Sequence, residues 1–114
     1  MSAVGVLTEG GVGIGLGHVT ESAHVIDALQ RLGADVSCWI YGPKEVRTTL
    51  ARRGTRTTAV RERPGPEGAA VLGRRIRRAG PGLVFCNLMR LEAVTVRRLR
   101  AAGLKVAAII EGRA

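Results

Sequence analysis

Five short strand-like segments, most of them apolar, alternate with helical patterns along this chain, and this alternation constrains the fold more than any other feature of the sequence. The segments are residues 3–7, 35–41, 55–60, 83–87 and 105–110. Strands that are apolar along nearly their whole length are typical of a parallel sheet covered by helices on both faces. The sequence therefore predicts a doubly wound α/β domain with a mostly parallel, five-stranded, Rossmann-like sheet in the order 3-2-1-4-5.

The segments between these strands carry the signals of four helices. We expect helices over residues 18–32, 44–53, 69–79 and 92–102, with Gly33 and Gly103 ending the first and last of them. Residues 61–68 are rich in proline and glycine, which predicts a loop. At 114 residues, the length fits a single domain over 1–114.

The chain is strongly basic, with a net charge of +9 that comes almost entirely from arginine. Such a charge can attract nucleic acid, anionic lipid headgroups or phosphorylated metabolites, or it can reflect genomic base composition. Aromatic residues are scarce, so the sequence lacks the interleaved aromatics with which RNA-binding domains stack bases. The arginines of the cluster 74–78 are expected on a solvated helix face, with docking to an acidic membrane as the alternative.

Cysteine content and the N-terminal sequence indicate the cellular compartment. Cys38 and Cys86 both lie in predicted strands without metal-ligand spacing, so we expect buried thiols in a reducing cytoplasm. The N-terminus shows no secretory leader, and no apolar run approaches the roughly 20 residues that span a bilayer. The sequence therefore predicts a cytoplasmic protein.

A glycine-dense loop over residues 10–18 joins the first strand to the first helix and ends on His18. Glycine allows a ligand to approach the backbone closely, the following helix N-terminus favours anions, and His18 can exchange a proton near neutral pH. The dinucleotide pattern G-x-G-x-x-G fails in both frames, which place Leu16 or His18 at its last position. No Gly-Lys pair or G-x-S-x-G is present, so the dehydrogenase, NTPase and α/β-hydrolase classes lose their support.

The loop and helix resemble the amino-terminal half of GT-B glycosyltransferases, in the branch of PseG-type nucleotide-sugar hydrolases, SpsG-like polysaccharide proteins and, more distantly, MurG. The resemblance rests on Gly17-His18-Val19, on the helical rhythm of residues 22–29 followed by 32–36, and on residues 83–87 with 98–106. It covers almost the whole chain but only the first of that family's two domains. It implies a glycosyltransferase-like domain in nucleotide-sugar or polysaccharide metabolism whose donor-binding half, such as one for a UDP-sugar, is supplied separately.

The resemblance also implies a set of site residues. His18 would be the general base that activates a water or an acceptor hydroxyl, although it could instead cap the helix or bond to the loop. Substrate-binding positions would be Gly13, Gly15, Gly17, Val19, Asn87 and Glu111, with neither a metal nor a cofactor beyond the nucleotide-sugar substrate. Asn87 and Glu111 could equally cap the turns that follow their strands.

The sequence departs from the family pattern near the loop. Glu21 stands where family members usually carry arginine, which reverses the charge near the N-terminus of the first helix. Asn87 stands where aspartate is common. Three other interpretations therefore remain open: a stand-alone phosphate- or nucleotide-binding module, an inactive truncated remnant, and an arginine-rich nucleic-acid binder.

Overall fold

The computed structural model describes residues 2–11, 17–51 and 54–108, and strands and helices alternate throughout that part of the chain. The strands are β1 (Ala3–Glu9), β2 (Asp35–Tyr41), β3 (Arg56–Ala59), β4 (Leu83–Asn87) and β5 (Lys105–Ala108). The helices are α1 (Gly17–Arg31), α2 (Lys44–Ala51), α3 (Pro66–Arg78) and α4 (Ala93–Ala101). The predicted order of elements is confirmed.

The five strands form one parallel sheet in the order β3-β2-β1-β4-β5. β1 lies at the centre, where Glu9 pairs with Tyr41 of β2 and Thr8 pairs with Asn87 of β4. The strand order reverses between β1 and β4, so the chain runs outward from this point in both directions. The predicted doubly wound α/β fold and its strand order are confirmed.

Each face of the sheet packs against its own pair of helices because successive side chains of a strand point to opposite faces. One core lies under α1 and α2 and contains Val6, Val19, Ala23, Ile26, Val36, Cys38, Ile40, Val46 and Leu50. The other lies under α3 and α4 and contains Leu7, Trp39, Ala69, Leu72, Ile76, Val84, Cys86, Leu99 and Leu104. The two cores together hold the sheet from both sides.

Helix α3 begins at Pro66, so the prediction of a loop through residue 68 is wrong at its last three positions. Proline suits the first turn of a helix, where the missing N–H has no helical partner in any case. A Cβ atom at Gly68 would lie 2.1 Å from the carbonyl oxygen of Arg63, so only glycine allows the helix to begin this close to the preceding loop. The proline and glycine that indicated a loop are therefore parts of a helix start.

The thiols of Cys38 and Cys86 are buried on opposite faces of the sheet, so the prediction of buried thiols is confirmed. Burial raises the pKa of both Cys38 and Cys86 to about 12. Both are therefore protonated at neutral pH, and a protonated thiol is a poor nucleophile and a poor metal ligand.

Within the described ranges, none of the helices combines the length and the apolar character needed to cross a bilayer.

Candidate functional site

The candidate site lies at the carboxyl ends of β1 and β4, where the strand order reverses. In open α/β sheets, ligands bind in the crevice outside this edge. Two residues that are 69 positions apart in sequence meet there: His18, the second residue of α1, and Asn87, the last residue of β4. The topology therefore brings two of the predicted polar site residues to one place.

Asn87 is 2% exposed and uses its whole side-chain amide in hydrogen bonds to α1. Its Nδ2 group donates to the carbonyl oxygen of His18 and to Oγ of Ser22, both at 3.0 Å. Its Oδ1 atom lies 3.0 Å from Nδ1 of the His18 ring. These three contacts fix the start of α1 against the end of β4 and hold the His18 ring by one of its two nitrogens.

Thr8 extends this polar group on the sheet. It pairs with Asn87 in the register of β1 and β4 and lies two residues beyond Val6, so its side chain points to the α1 face. Thr8 is fully buried, and its hydroxyl has no hydrogen-bond partner among the residues that the structure describes. Neither Thr8 nor Ser22 is among the site residues predicted from the sequence. Ser22 lies one helical turn after His18, and this spacing is the signal that indicates it.

The unpartnered hydroxyl predicts that Thr8→Val stabilises the protein. Valine has nearly the same shape, and burial of an unbonded hydroxyl costs about 1–3 kcal/mol, so we expect a gain of about 1 kcal/mol in the free energy of unfolding. Urea denaturation of the purified variant measures this gain. Val6→Thr, the reverse change two positions earlier on the same buried strand face, is the matched control and should destabilise; a loss of stability in Thr8→Val would contradict the prediction.

The remaining predicted site residues are distributed unevenly. Gly17 is exposed at the first position of α1, and a Cβ atom there would meet no atom of another described element within 4 Å. Val19 is 2% exposed and packs in the core under α1, so its side chain is not available to a ligand. Gly13, Gly15 and Glu111 lie outside the described residues.

A groove opens beside the site, on the α3 side of the sheet. It has a volume of about 430 Å³ and is lined by Glu9, Pro64, Gly65, Met89, Arg90 and Glu92. Glu9, the last residue of β1, accepts a hydrogen bond from the backbone N–H of Met89. At the carboxyl edge of the sheet, the His18–Asn87 pair therefore lies on the α1 face. The groove, which is lined by two glutamates and one arginine among other residues, lies on the opposite face.

The charge near the site differs from that on the distant face. Glu21 is exposed on α1 three residues after His18, and His24 is exposed further along the same helix. On α3 and α4 the exposed arginines are Arg74, Arg77, Arg78, Arg97, Arg98 and Arg100. Contact of this basic face with an anionic membrane stays a prediction.

Arg75 does not belong to this solvated face, so the prediction for the whole cluster is wrong at this position. Its side chain is 23% exposed, donates to both carboxylate oxygens of Glu62 at 2.7 and 2.8 Å, and lies over the Trp39 ring. It also donates to the carbonyl oxygen of Ala59. Arg75 therefore joins α3 to the end of β3 and to the sheet.

Among residues 2–11, 17–51 and 54–108, the histidines, cysteines and acidic residues form no group of three that could hold a metal ion. The polar side chains that meet at the site are an imidazole, an amide and two hydroxyls. This set fits hydrogen bonding and proton transfer.

The fold and this edge define the class: a doubly wound α/β domain with a polar site at the switch point of its sheet. The chain is similar in structure to MurG from Acinetobacter baumannii, with a TM-score of 0.70 and 16% identity over 95% of this chain and 34% of MurG. It is also similar to glycinamide ribonucleotide transformylase 1 from Symbiobacterium toebii, with a TM-score of 0.59 and 18% identity over 86% of this chain and 47% of that one. A universal stress protein family member from Burkholderia pseudomallei aligns with a TM-score of 0.57 and 18% identity over 95% of both chains.

These similarities concern the fold. No protein-family model matches the sequence, and no curated protein matches it. The chain spans about a third of the length of MurG. The three structures show that the same fold occurs in different proteins.

Proposed function

We propose that this chain is a glycosyltransferase-like domain of nucleotide-sugar metabolism in which His18 is the general base. The observation that carries the proposal is the contact of His18 Nδ1 with Asn87 at the switch point of the sheet. In the described part of the chain nothing bonds the other ring nitrogen, Nε2, which leaves it able to accept a proton. The structural similarity to MurG supports the class of the domain.

The proposed chemistry is a displacement at the anomeric carbon of a nucleotide sugar. Nε2 of His18 takes the proton of a water or acceptor hydroxyl, and the oxygen of that water or hydroxyl forms a bond to the anomeric carbon. The bond from the anomeric carbon to the nucleotide phosphate breaks, and the phosphate leaves with the electron pair. A positioned base of this kind contributes about 10²–10⁴-fold to the rate.

The proposal includes a second, donor-binding half, supplied by another domain or another chain. The resemblance to GT-B enzymes covers only the first of two domains, and the chain spans 34% of MurG. The exposed Glu21, three residues after His18, would repel a phosphate at the N-terminus of α1. This repulsion favours a donor diphosphate that is held mainly by the other half.

A stand-alone phosphate- or nucleotide-binding module is the alternative. The observation that favours it is the universal stress protein family structure, which this chain matches over 95% of both lengths. That match shows a chain of similar extent with the same fold. In such a module the glycine loop would hold a phosphate without catalysis.

Binding and turnover measured together distinguish the two functions. In the presence of the donor-binding half, we expect a UDP-sugar to stabilise the protein against thermal unfolding, by about 2.7 kcal/mol at a concentration a hundredfold above its Kd. CMP-sugars and dinucleotides serve as competing probes. His18→Ala should retain binding and lose about 10²–10⁴-fold in the release of nucleoside diphosphate.

His24→Ala is the matched control because it removes an exposed histidine from the same helix. It should leave both binding and turnover unchanged. Nucleotide binding by this chain alone, without turnover in the presence of the donor-binding half, would favour the module. The absence of stabilisation by every nucleotide, with or without that half, would contradict both functions.

A further inference from the structure

We infer that Asn87 is a positioning residue that selects the tautomer of His18, placing the ring proton on Nδ1 so that Nε2 is the basic nitrogen. The catalytic consequence rests on the proposed function, whereas the tautomer itself is a property of the free protein.

The backbone carbonyl of His18 fixes the orientation of the amide. A carbonyl oxygen can only accept a hydrogen bond, so the atom of Asn87 that lies 3.0 Å from it must be the NH₂ group. The same NH₂ group reaches Oγ of the buried Ser22 at 3.0 Å, which uses its second hydrogen. Both donors of the amide are therefore engaged with α1, and the opposite orientation would bring two oxygens together.

This orientation leaves only the amide oxygen to face the ring. Oδ1 of Asn87 has no hydrogen, so the 3.0 Å contact with Nδ1 of His18 is a hydrogen bond only when Nδ1 carries the proton. A neutral imidazole has one N–H, and its other nitrogen is then the acceptor. Nε2 is consequently the unprotonated nitrogen whenever the ring is neutral.

The same geometry explains why this position holds an amide although the resembled family commonly has aspartate here. A carboxylate could accept from Nδ1, but it could not donate to the carbonyl oxygen of His18, which it would face at close range. Asparagine combines one acceptor for the ring with two donors for the helix. It therefore orients the base without adding a charge to a site where Asn87 is 2% exposed.

The test is the protonation pattern of the histidine rings, read from long-range ¹H–¹⁵N correlations of the ligand-free protein at a pH where both rings are neutral. The chain has two histidines, and the exposed His24 serves as the internal reference. His24→Gln assigns the signals. We expect His18 to show a protonated Nδ1 and an unprotonated Nε2.

Three variants separate tautomer selection from general support of the fold. Asn87→Ala should lose the exclusive Nδ1–H pattern, because nothing then accepts from that nitrogen. Asn87→Asp should keep the Nδ1–H pattern, because the carboxylate still accepts, although the variant unfolds at lower urea concentration. Ser22→Ala, which removes only one contact of the NH₂ group, should keep the wild-type pattern.

A wild-type His18 that carries its proton on Nε2 would overturn the inference, and this result does not depend on whether any variant folds. An unchanged pattern in a folded Asn87→Ala, or loss of the Nδ1–H pattern in Asn87→Asp, would overturn it as well. The measurement uses no nucleotide, so failure of UDP-sugar binding would contradict the proposed function and leave the tautomer result standing.

Discussion

Replacing Gly42 with alanine is expected to destabilise the protein by roughly 3–5 kcal/mol, a large share of the 5–15 kcal/mol by which domains of this size are stable. Gly42 follows β2 and has a φ angle of +138°, which side chains rarely adopt. A Cβ atom there would lie 2.3 Å from the carbonyl oxygen of Gly10. Strain and overlap therefore act together at this position.

The overlap cannot be relieved by a side-chain movement because the neighbouring atom belongs to the backbone. Gly10 is buried and donates its N–H to the carbonyl oxygen of Tyr41, which ties the end of β1 to the end of β2. Relief of the contact would require these strand ends to separate. The glycine loop starts here, so Gly42→Ala should also weaken any ligand binding at that edge.

Gly33→Ala is the matched control because it isolates the backbone strain. Gly33 has a φ angle of +85°, and a Cβ atom there would meet no other atom within 4 Å. We expect this variant to lose about 1–2 kcal/mol, the cost of a left-handed conformation for an ordinary residue. Urea denaturation measures both variants, and equal losses in the two would contradict the role assigned to the Gly10 contact.

The fold could be predicted from the sequence because its determinants are local. The apolar segments, the helical periodicity and glycines such as Gly33 and Gly103, both with positive φ, act within a few residues of one another. The predicted start of α3 is wrong because glycine is required at position 68 by the close approach of the Arg63 backbone, a contact that composition does not reveal. Local pattern alone indicated a loop.

The candidate site could be predicted in part. The topology placed His18 and Asn87 at the same edge of the sheet, but the sequence did not indicate that the two would bond or that Ser22 would join them. Arg75 was mispredicted for a related reason. Its partners Glu62 and Trp39 lie 13 and 36 positions away and meet it only in the folded chain.

Glu62→Gln is expected to lower the free energy of unfolding by roughly 3 kcal/mol at neutral pH. It should also remove the part of the pH dependence of that free energy that Glu62 contributes. The carboxylate of Glu62 is 8% exposed and pairs with both Nε and Nη2 of Arg75. These hydrogen bonds to the guanidinium lower the pKa of Glu62 from 4.5 to about 2. A glutamine keeps the shape but leaves the Arg75 charge without its counter-ion.

The direction of the pH dependence follows from the lowered pKa. The unfolded chain takes up a proton at Glu62 near pH 4.5, whereas the folded protein resists protonation until about pH 2. The contribution of the carboxylate is therefore complete above about pH 5 and is lost as the pH falls toward 2. Tyr41, whose pKa burial raises to about 12, does not titrate in this window.

The difference in unfolding free energy between wild type and Glu62→Gln isolates this group, because the other carboxyl groups titrate in both proteins. We expect a difference of roughly 3 kcal/mol at pH 7 that shrinks steadily below pH 5 and is small at pH 2. Glu67→Gln is the matched control: Glu67 pairs with Arg63, but the two side chains are 70% and 82% exposed, so its removal should cost at most about 1 kcal/mol. Urea denaturation from pH 2 to pH 7 measures all three proteins. A difference in unfolding free energy between wild type and Glu62→Gln that stays constant across that range would show that the Glu62–Arg75 pair does not couple protonation to folding. The stability that Arg75 provides would then come from its contacts with Trp39 and Ala59.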